Sequence, residues 1–465
     1  MRKLFVYLIA VTALLIGFCA EAKAPKYVFL FIGDGLSFPQ RMAAQEYLRL
    51  TSKRELLINK LPVQSATTTR AADQFITDSA ASGTAIACGE KTAVGRIGLD
   101  VSGKRRLESV AEVAKKNGRK VAIITSVTLN HATPASFYGH QLKRNMGYEL
   151  GLDLIASGFD YFGGGGISHN TGRDKKQPDV YKLAAKAGYK VCLNPTEVRA
   201  FKPGEGKVIA IGAPGALPYA LDKGKEDLRL ADFVRQAINH CDNPNGFFMM
   251  CEGGAIDWLC HANDAAGTFN EVLEFDDAVR VAYDFYQKHP DDTLIVITGD
   301  HETGGLTLGF AGTKYKSYYE VLAGQKYSVV KLNDSMPKTC GSWLDMRKFV
   351  ASVSGLIFND GKPDAKNPRL LSLKEEKALE KEFRKAYPKG KLNAKAGEAF
   401  VRSIVRLINN KAGLAWSTGA HTALPVNTSA IGVGADKFSG VIDNTDIAKK
   451  LKQVVIPVSK NWWKW

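Results

Sequence analysis

Six near-continuous apolar runs punctuate the first three hundred positions: YVFLFI from Tyr27, KVAIIT from Lys120, YKVCL from Tyr189, KVIAIG from Lys207, GFFMMC from Gly246 and TLIVIT from Thr293. Runs of this length, rich in β-branched residues and without polar alternation, are what strands buried on both faces require. Between them lie segments with helical spacing of apolar positions: ESVAEVAKKN from Glu108, PDVYKLAAKAG from Pro178, LRLADFVRQAINH from Leu228 and TFNEVLEFDDAVRVAYDFYQKH from Thr268. The alternation predicts an α/β fold, a doubly wound and mostly parallel sheet flanked by helices. After Gly305 the pattern changes. The stretch from Leu371 to Asn410 reads as helical and charge-rich, and strand-like text resumes near Trp416. Residues 310–412 are therefore expected to form an inserted helical subdomain over the crevice, with 413–465 completing the main sheet.

The first residues depart from this pattern. Arg2 and Lys3 precede the apolar run LFVYLIAVTALLIGF, and Ala20-Glu21-Ala22 offers a small-x-small cleavage site. The combination predicts a secretory signal peptide over 1–22 and a secreted, periplasmic protein. Lipid anchoring at Cys19 is the weaker alternative, because Phe18 stands where a small residue is expected. Removal of Cys19 would leave Cys88, Cys192, Cys241, Cys251, Cys260 and Cys340, an even set that fits an oxidising compartment and fixes no pairing. The net charge of +16 is spread along the chain. It reads as a basic surface that draws in anionic substrates, not as a nucleic-acid interface. No later segment is long and apolar enough to span a bilayer.

Several strand candidates end in metal-capable side chains. Asp300 and His301 follow TLIVITG, Asp34 follows YVFLFIG, and Glu252 follows GFFMMC, with Asp257 and His261 five and four residues further on. In an open α/β sheet, ligands bind beyond the carboxyl ends of the strands, so these groups can share one crevice. Hard or borderline divalent metals favour such carboxylate oxygen ligands, and acidic and imidazole groups at these spacings can enter one site. Each has a plainer reading: an Asp-Gly after a strand is commonly a turn, and His421 alone is more often a structural hydrogen-bonder. Ser79, in TDSAASGTA, precedes small residues suited to a helix whose N-terminal amides face an anion. Asp78-Ser79 would equally serve as an ordinary cap. Arg144 can hold two phosphate oxygens in a planar fork, or can simply be a surface cation.

Taken together, FIGDG with Asp34, TDSAASGTA with Ser79, HATPASFYGHQLKR with Thr133 and Arg144, EGGAIDWLCH with Glu252, Asp257 and His261, GDHETGG with Asp300 and His301, and GAHT with His421 closely resemble the alkaline phosphatases. The six blocks occur in that family's order. The resemblance implies a catalytic domain over 23–465, with the family's variable crown region at the 310–412 insertion. It further implies hydrolysis of phosphate monoesters through a phosphoserine on Ser79, inhibition by the product inorganic phosphate, and commonly a homodimer. Asp257, His261 and His421 would hold one Zn2+; Asp34, Asp300, His301 and ionised Ser79 a second; and Asp34, Thr133 and Glu252 one Mg2+. Arg144 would bind the phosphate.

Two positions depart from the family's prototype bacterial pattern of Asp and Lys. Here they are His131 and Trp258, placed near the third metal and the substrate, which leaves open whether the third site takes Mg2+ or Zn2+. Among rivals, a sulfatase would need C/S-x-P-x-R around its nucleophile, and SAASG is not that. A phosphodiesterase of the same superfamily and a noncatalytic phosphate-binding protein are the alternatives. The second of these would have no use for six blocks of metal ligands.

Overall fold

A computed structural model of the chain describes residues 24–204, 206–359 and 366–456. The expected signal peptide, Cys19 and the aromatic tail at 461–465 lie outside the described residues. The strands, in chain order, are β1 (Tyr27–Gly33), β2 (Val63–Thr68), β3 (Lys120–Thr125), β4 (Tyr161–Gly165), β5 (Tyr189–Cys192), β6 (Lys207–Ala213), β7 (Phe247–Gly253), β8 (Thr293–Gly299), the two-residue β9 (Glu302–Thr303), β10 (Leu306–Thr307), β11 (Ala415–Trp416) and β12 (His421–Thr422), then β13 (Val426–Gly432) and β14 (Gly440–Asp443). Ten of them form one sheet in the order β14-β2-β13-β8-β1-β7-β3-β4-β6-β5. Every pairing is parallel except those of β13 with β2 and β8.

The central strands β1, β7 and β8 are buried along their whole length. Their side chains divide by parity, as a pleat dictates. Tyr27, Phe29 and Phe31 join Phe247, Met249, Ile295 and Ile297 in a cluster capped by the helices Leu230–Cys241 and Ala265–Lys288. Val28, Leu30 and Ile32 join Phe248, Met250, Leu294 and Val296 on the other face, against the helices Ser79–Cys88, Val110–Lys116 and Asn444–Val455. Burying each such side chain contributes roughly 1.5–3 kcal/mol, which is why continuous apolar runs mark the middle of the sheet.

Three elements are hidden in the sequence. β2 carries VQSATT and sits one strand from the edge, where a ladder of hydroxyls replaces apolar packing: Thr67 Oγ1 is 2.7 Å from Thr428 Oγ1, which is 2.8 Å from Thr298 Oγ1. β4 carries YFGGG because a Cβ at Gly164 would lie 1.9 Å from Thr125 O. The helix Phe38–Ser52 conceals its apolar stripe because Gln40 and Arg41 face inward, Arg41 donating to Ile58 O, Asn59 Oδ1 and Ser429 Oγ.

Beyond β10 the chain is helical at Val329–Asp334, Trp343–Ser354, Leu373–Ala386 and Ala394–Ala412. The run read as one helical stretch breaks at Pro388–Gly390, where Lys389 takes a left-handed conformation. Leu322, Val350, Leu379, Phe383, Phe400 and Ile404 belong to the same apolar cluster as Phe269 and Phe275, so these helices share the core of the sheet's first face. After residue 413 the chain returns to the sheet through β13 and β14. Among the described residues the six cysteines are all unpaired. Among the described residues no helix is long and apolar enough to cross a membrane.

Candidate metal centre and nucleophile

Strand register builds the site. Gly33, at the end of β1, lies level with Gly253 of β7 and Gly299 of β8. Asp34 and Asp300 therefore leave the sheet side by side, while Glu252 stands one residue back, level with Thr125 of β3. All three carboxylates are fully buried. Gly35 N and His301 N both donate to Asp300 Oδ1, at 3.0 and 2.9 Å, which fixes the turn after each strand.

Ser79 is the first residue of the helix Ser79–Cys88, and Asp78 is its cap, Oδ1 accepting from Ala81 N at 3.0 Å. The cap and the nucleophile readings are thus compatible. Asp78 performs the capping and leaves the Ser79 hydroxyl free, 3.2 Å from His301 Nε2 and 3.4 Å from Asp34 Oδ1. Thr133 Oγ1 reaches Asp34 from the other side, at 3.5 Å from Oδ2.

The imidazoles are poised to accept a cation. His261 Nδ1 lies 2.7 Å from Gly419 O and His421 Nδ1 lies 2.8 Å from Thr77 O. A carbonyl can only accept, so both Nδ1 atoms carry hydrogen and each neutral ring has its lone pair on Nε2. Those two Nε2 atoms face each other at 3.1 Å, with Asp257 carboxylate oxygens 3.3 and 3.6 Å away. That grouping calls for a positive charge, which a metal ion would supply and which, without one, the Asp257 carboxylate favours as a proton on His261, raising it above the usual imidazole range. His301 repeats the logic. Its Nδ1 is 3.2 Å from Thr303 Oγ1, whose own hydrogen goes to Asp257 Oδ1 at 2.6 Å. His301 Nε2 is left facing Asp34 Oδ1 and Asp300 Oδ2, each at 3.3 Å. Asp300 Oδ2 and Glu252 Oε1 are buried without any hydrogen-bond partner.

Three groups bring ligand atoms within 4.8 Å of one another: Asp257, His261 and His421; Asp34, Asp257 and His301; and Asp34, His131 and Glu252. The donor chemistry fits divalent metals, nitrogen-rich in the first group and oxygen-rich in the last.

Electrostatics point the same way. Burial, reinforced by the neighbouring carboxylates, raises Asp34 and Asp300 well above the usual carboxylate range. Burial pushes Glu252 up to about 7. Asp257 behaves oppositely: burial would raise it, but the His261 hydrogen bond and the surrounding imidazoles outweigh that and hold it low. Unfolded Glu252 titrates near 4.5. Its contribution to folding is thus fully present below that pH and is lost as pH rises through about 7, a change of roughly 3 kcal/mol. Metal-stripped protein is expected to melt at progressively lower temperature across that window, and added divalent ions to cancel the trend. Melting curves of the chelated protein check this, and a flat or rising profile would contradict it.

Arg144 stands at the rim, donating to Asp78 Oδ2 at 3.0 Å, with Nη2 3.4 Å from His131 Nε2. Burial, with help from the Arg144 charge, lowers His131 to about 4, so its ring is neutral. His131 and Trp258 are neighbours, their rings 5.9 Å apart edge to face.

Sequence reasoning missed Thr303, Asp78 as the anchor of Arg144, and Glu302, which accepts from Gln40 and Thr422 and so ties β9 to β12. The signal available was proximity in the chain alone, since each lies within two positions of a singled-out residue. Thr303 is the informative one, because a single hydroxyl orients His301 and Asp257 together. Replacing Thr303 with Val is expected to weaken divalent-metal affinity about 10–100-fold, as removal of such outer partners typically does. Thr303→Ser should recover most of it in a titration against a competing chelator, and unchanged affinity in the Val variant would remove this role.

Comparison with known proteins agrees with the geometry. A family profile described as Alkaline phosphatase matches residues 25–456. Alkaline phosphatase 3 of Bacillus subtilis is 30% identical over 92% of this chain and 88% of its own length, and alkaline phosphatase 4 of the same organism is 30% identical over 82% and 77%. The crystal structure of a cold-active alkaline phosphatase from Shewanella sp. superposes with a TM-score of 0.78 at 25% identity, covering 92% of this chain and 99% of that one. A mutant of the alkaline phosphatase from the Antarctic bacterium TAB5, solved with Mg bound, gives 0.67 at 25% identity over 94% and 99%. With the family profile spanning nearly the whole chain and the crevice assembled from its six sequence blocks, this protein belongs to the alkaline phosphatase family.

Proposed function

We propose that this phosphomonoesterase works through a covalent phosphoserine on Ser79, within a centre of two Zn2+ and one Mg2+. The observation that carries the reading is the Ser79 hydroxyl, buried at the N-terminus of its helix and within 3.4 Å of both His301 Nε2 and Asp34 Oδ1. Asp257, His261 and His421 would hold one zinc on the side of the departing alcohol, where His261 is 38% exposed. Asp34, Asp300 and His301, joined by Ser79, would hold the second. Asp34, Thr133 and Glu252 would hold the third ion, a set of oxygen ligands suited to a hard cation; the TAB5 structure that carries Mg in its M3 site is a mutant with Asp in place of a histidine. His131, whose ring can reach the same carboxylates, is the reason Zn2+ also fits that third set. When bound, the ions stabilise the attacking and departing oxygens.

The protein's own groups do the rest. Ser79 Oγ forms a bond to phosphorus as the ester oxygen leaves with a proton, and water then cleaves the phosphoserine to release phosphate and restore the hydroxyl. The amides of the helix N-terminus and the Arg144 guanidinium face the nonbridging oxygens. Asp78 holds Arg144 in place, and His131 with Trp258 lines the approach. The pairing of Arg144 with a third oxygen-rich metal set favours monoesters over diesters, because two charged nonbridging oxygens need balancing. Hydrolysis of phenyl phosphate and of bis(p-nitrophenyl) phosphate, measured on protein of known metal content, tests the proposal. A preference for the diester would overturn it.

A further inference from the structure

A cavity of about 320 Å³ lies against the helix Ala394–Ala412, lined by Asn263, Phe310, Arg402, Arg406, Asn409 and Trp416. Arg402 and Arg406 stand one helical turn apart, both exposed. Among the described residues neither guanidinium has an ion pair or hydrogen bond. Like charges at this spacing repel, so two unpaired guanidiniums side by side are stabilised by an anion between them. Half-buried Phe310 and Trp416 add flat apolar surface to the same cavity. Two polar atoms of its lining are buried without a hydrogen-bond partner, the acceptor Asn409 Oδ1 and the donor Trp416 Nε1.

The cavity shares its lining with the segments that carry the metal-ligand loops. Asn263 follows His261 by two residues, takes a left-handed conformation, and accepts through its carbonyl from Asn409 Nδ2 at 2.7 Å. The Trp416 ring lies against Gly304, where an added Cβ would come within 2.4 Å of Cε3, and Ser417 N donates to Gly304 O at 3.2 Å. Gly304 directly follows Thr303. The cavity thus lies beside the segments carrying His261 and His421, the set assigned above to the side of the departing alcohol.

We infer that this cavity is a subsite for the alcohol portion of the substrate, and that it selects phosphomonoesters carrying a flat ring and a second anionic group. The inference rests on the phosphomonoesterase reading above. A ring stacks on Phe310 and Trp416, and a second phosphate is gripped by Arg402 and Arg406 in the planar fork that guanidinium provides.

The test compares a nucleoside 3′,5′-bisphosphate with phenyl phosphate on metal-replete wild type and on the double variant Arg402→Ala/Arg406→Ala, both substitutions being on an exposed helix face. In wild type the bisphosphate is expected to have the higher kcat/KM. In the variant the ratio of the two kcat/KM values should fall at least tenfold, mainly through KM for the bisphosphate. An equal loss on both substrates would mean a general field effect and would overturn the subsite, as would an unchanged ratio. Phe310→Ala should lower the same ratio independently, so a folding defect in one variant does not shield the proposal. Wild type that hydrolyses neither compound would instead contradict the phosphomonoesterase reading.

Discussion

Ser79→Ala protein is expected to fold, to retain the divalent ions and to lose essentially all hydrolytic activity, by at least about a thousandfold in kcat, as loss of an enzyme's nucleophile typically causes. The expectation follows from the neighbours of the hydroxyl. Asp78 caps the helix through its own carboxylate, so removing Ser79 Oγ does not touch the cap. Around it, Ala80, Ala81 and Gly83 leave no alternative nucleophile, and Ser82 Oγ is committed to Asp300 O at 2.6 Å. Rapid quenching in acid followed by mass spectrometry should find phosphate on the peptide containing Ser79 in wild type and none in the variant. A phosphoryl group found reproducibly on another residue would reject the assignment, as would an unimpaired Ala variant.

Removal of the metals should be as severe. Without a cation, the crevice places Asp34, Asp257, Asp300 and Glu252 together with three imidazoles, and burial opposes ionisation of most of those carboxylates. Chelation is expected to abolish turnover, zinc to restore most of it, and magnesium to add a further increment through the set containing Thr133 and Glu252. Elemental analysis alongside activity is the check. A fully active preparation free of bound divalent metal would refute the ligand assignments altogether. The two experiments separate cleanly, since Ser79→Ala should leave metal content nearly unchanged while chelation leaves Ser79 in place.

The sheet's centre was legible because burial on both faces leaves little room for polar residues away from the strand ends, so β1, β7 and β8 are visible as nearly unbroken apolar text. Its flanks were not. β2 is stabilised by threonine hydroxyls, β4 by the absence of side chains, and the helix Phe38–Ser52 by a buried arginine, and none of these leaves a periodic apolar signal. Asp34, Glu252, Asp300 and His301 were legible as residue types at strand ends and the rest of the candidate site through the family resemblance, and the structure brings Asp34, Ser79, Thr133, Glu252, Asp257, Asp300, His301, Arg144 and His421 into one crevice with His261. What the sequence withheld was orientation. That His261 and His421 present Nε2 depends on the carbonyls of Gly419 and Thr77, and a backbone acceptor carries no residue identity to read. Thr303 and Asp78 were invisible for a related reason, since Thr and Asp at a turn are ordinary until their partners are known.

The antiparallel β13 has a consequence for synthesis. It seats itself between β2 and β8, so that Thr428 bonds to partners 361 and 130 residues earlier in the chain. Until residues 426–432 are available to pair, β8 stands at the edge of an open sheet, seven residues long and wholly apolar or small apart from its threonines. Such an unpaired edge is a template for pairing with other chains. Contacts this distant in sequence also make for slow closure. His421 enters just before β13, so the crevice and the sheet are completed in the same late event. A chain halted short of it would carry neither function nor protection from aggregation.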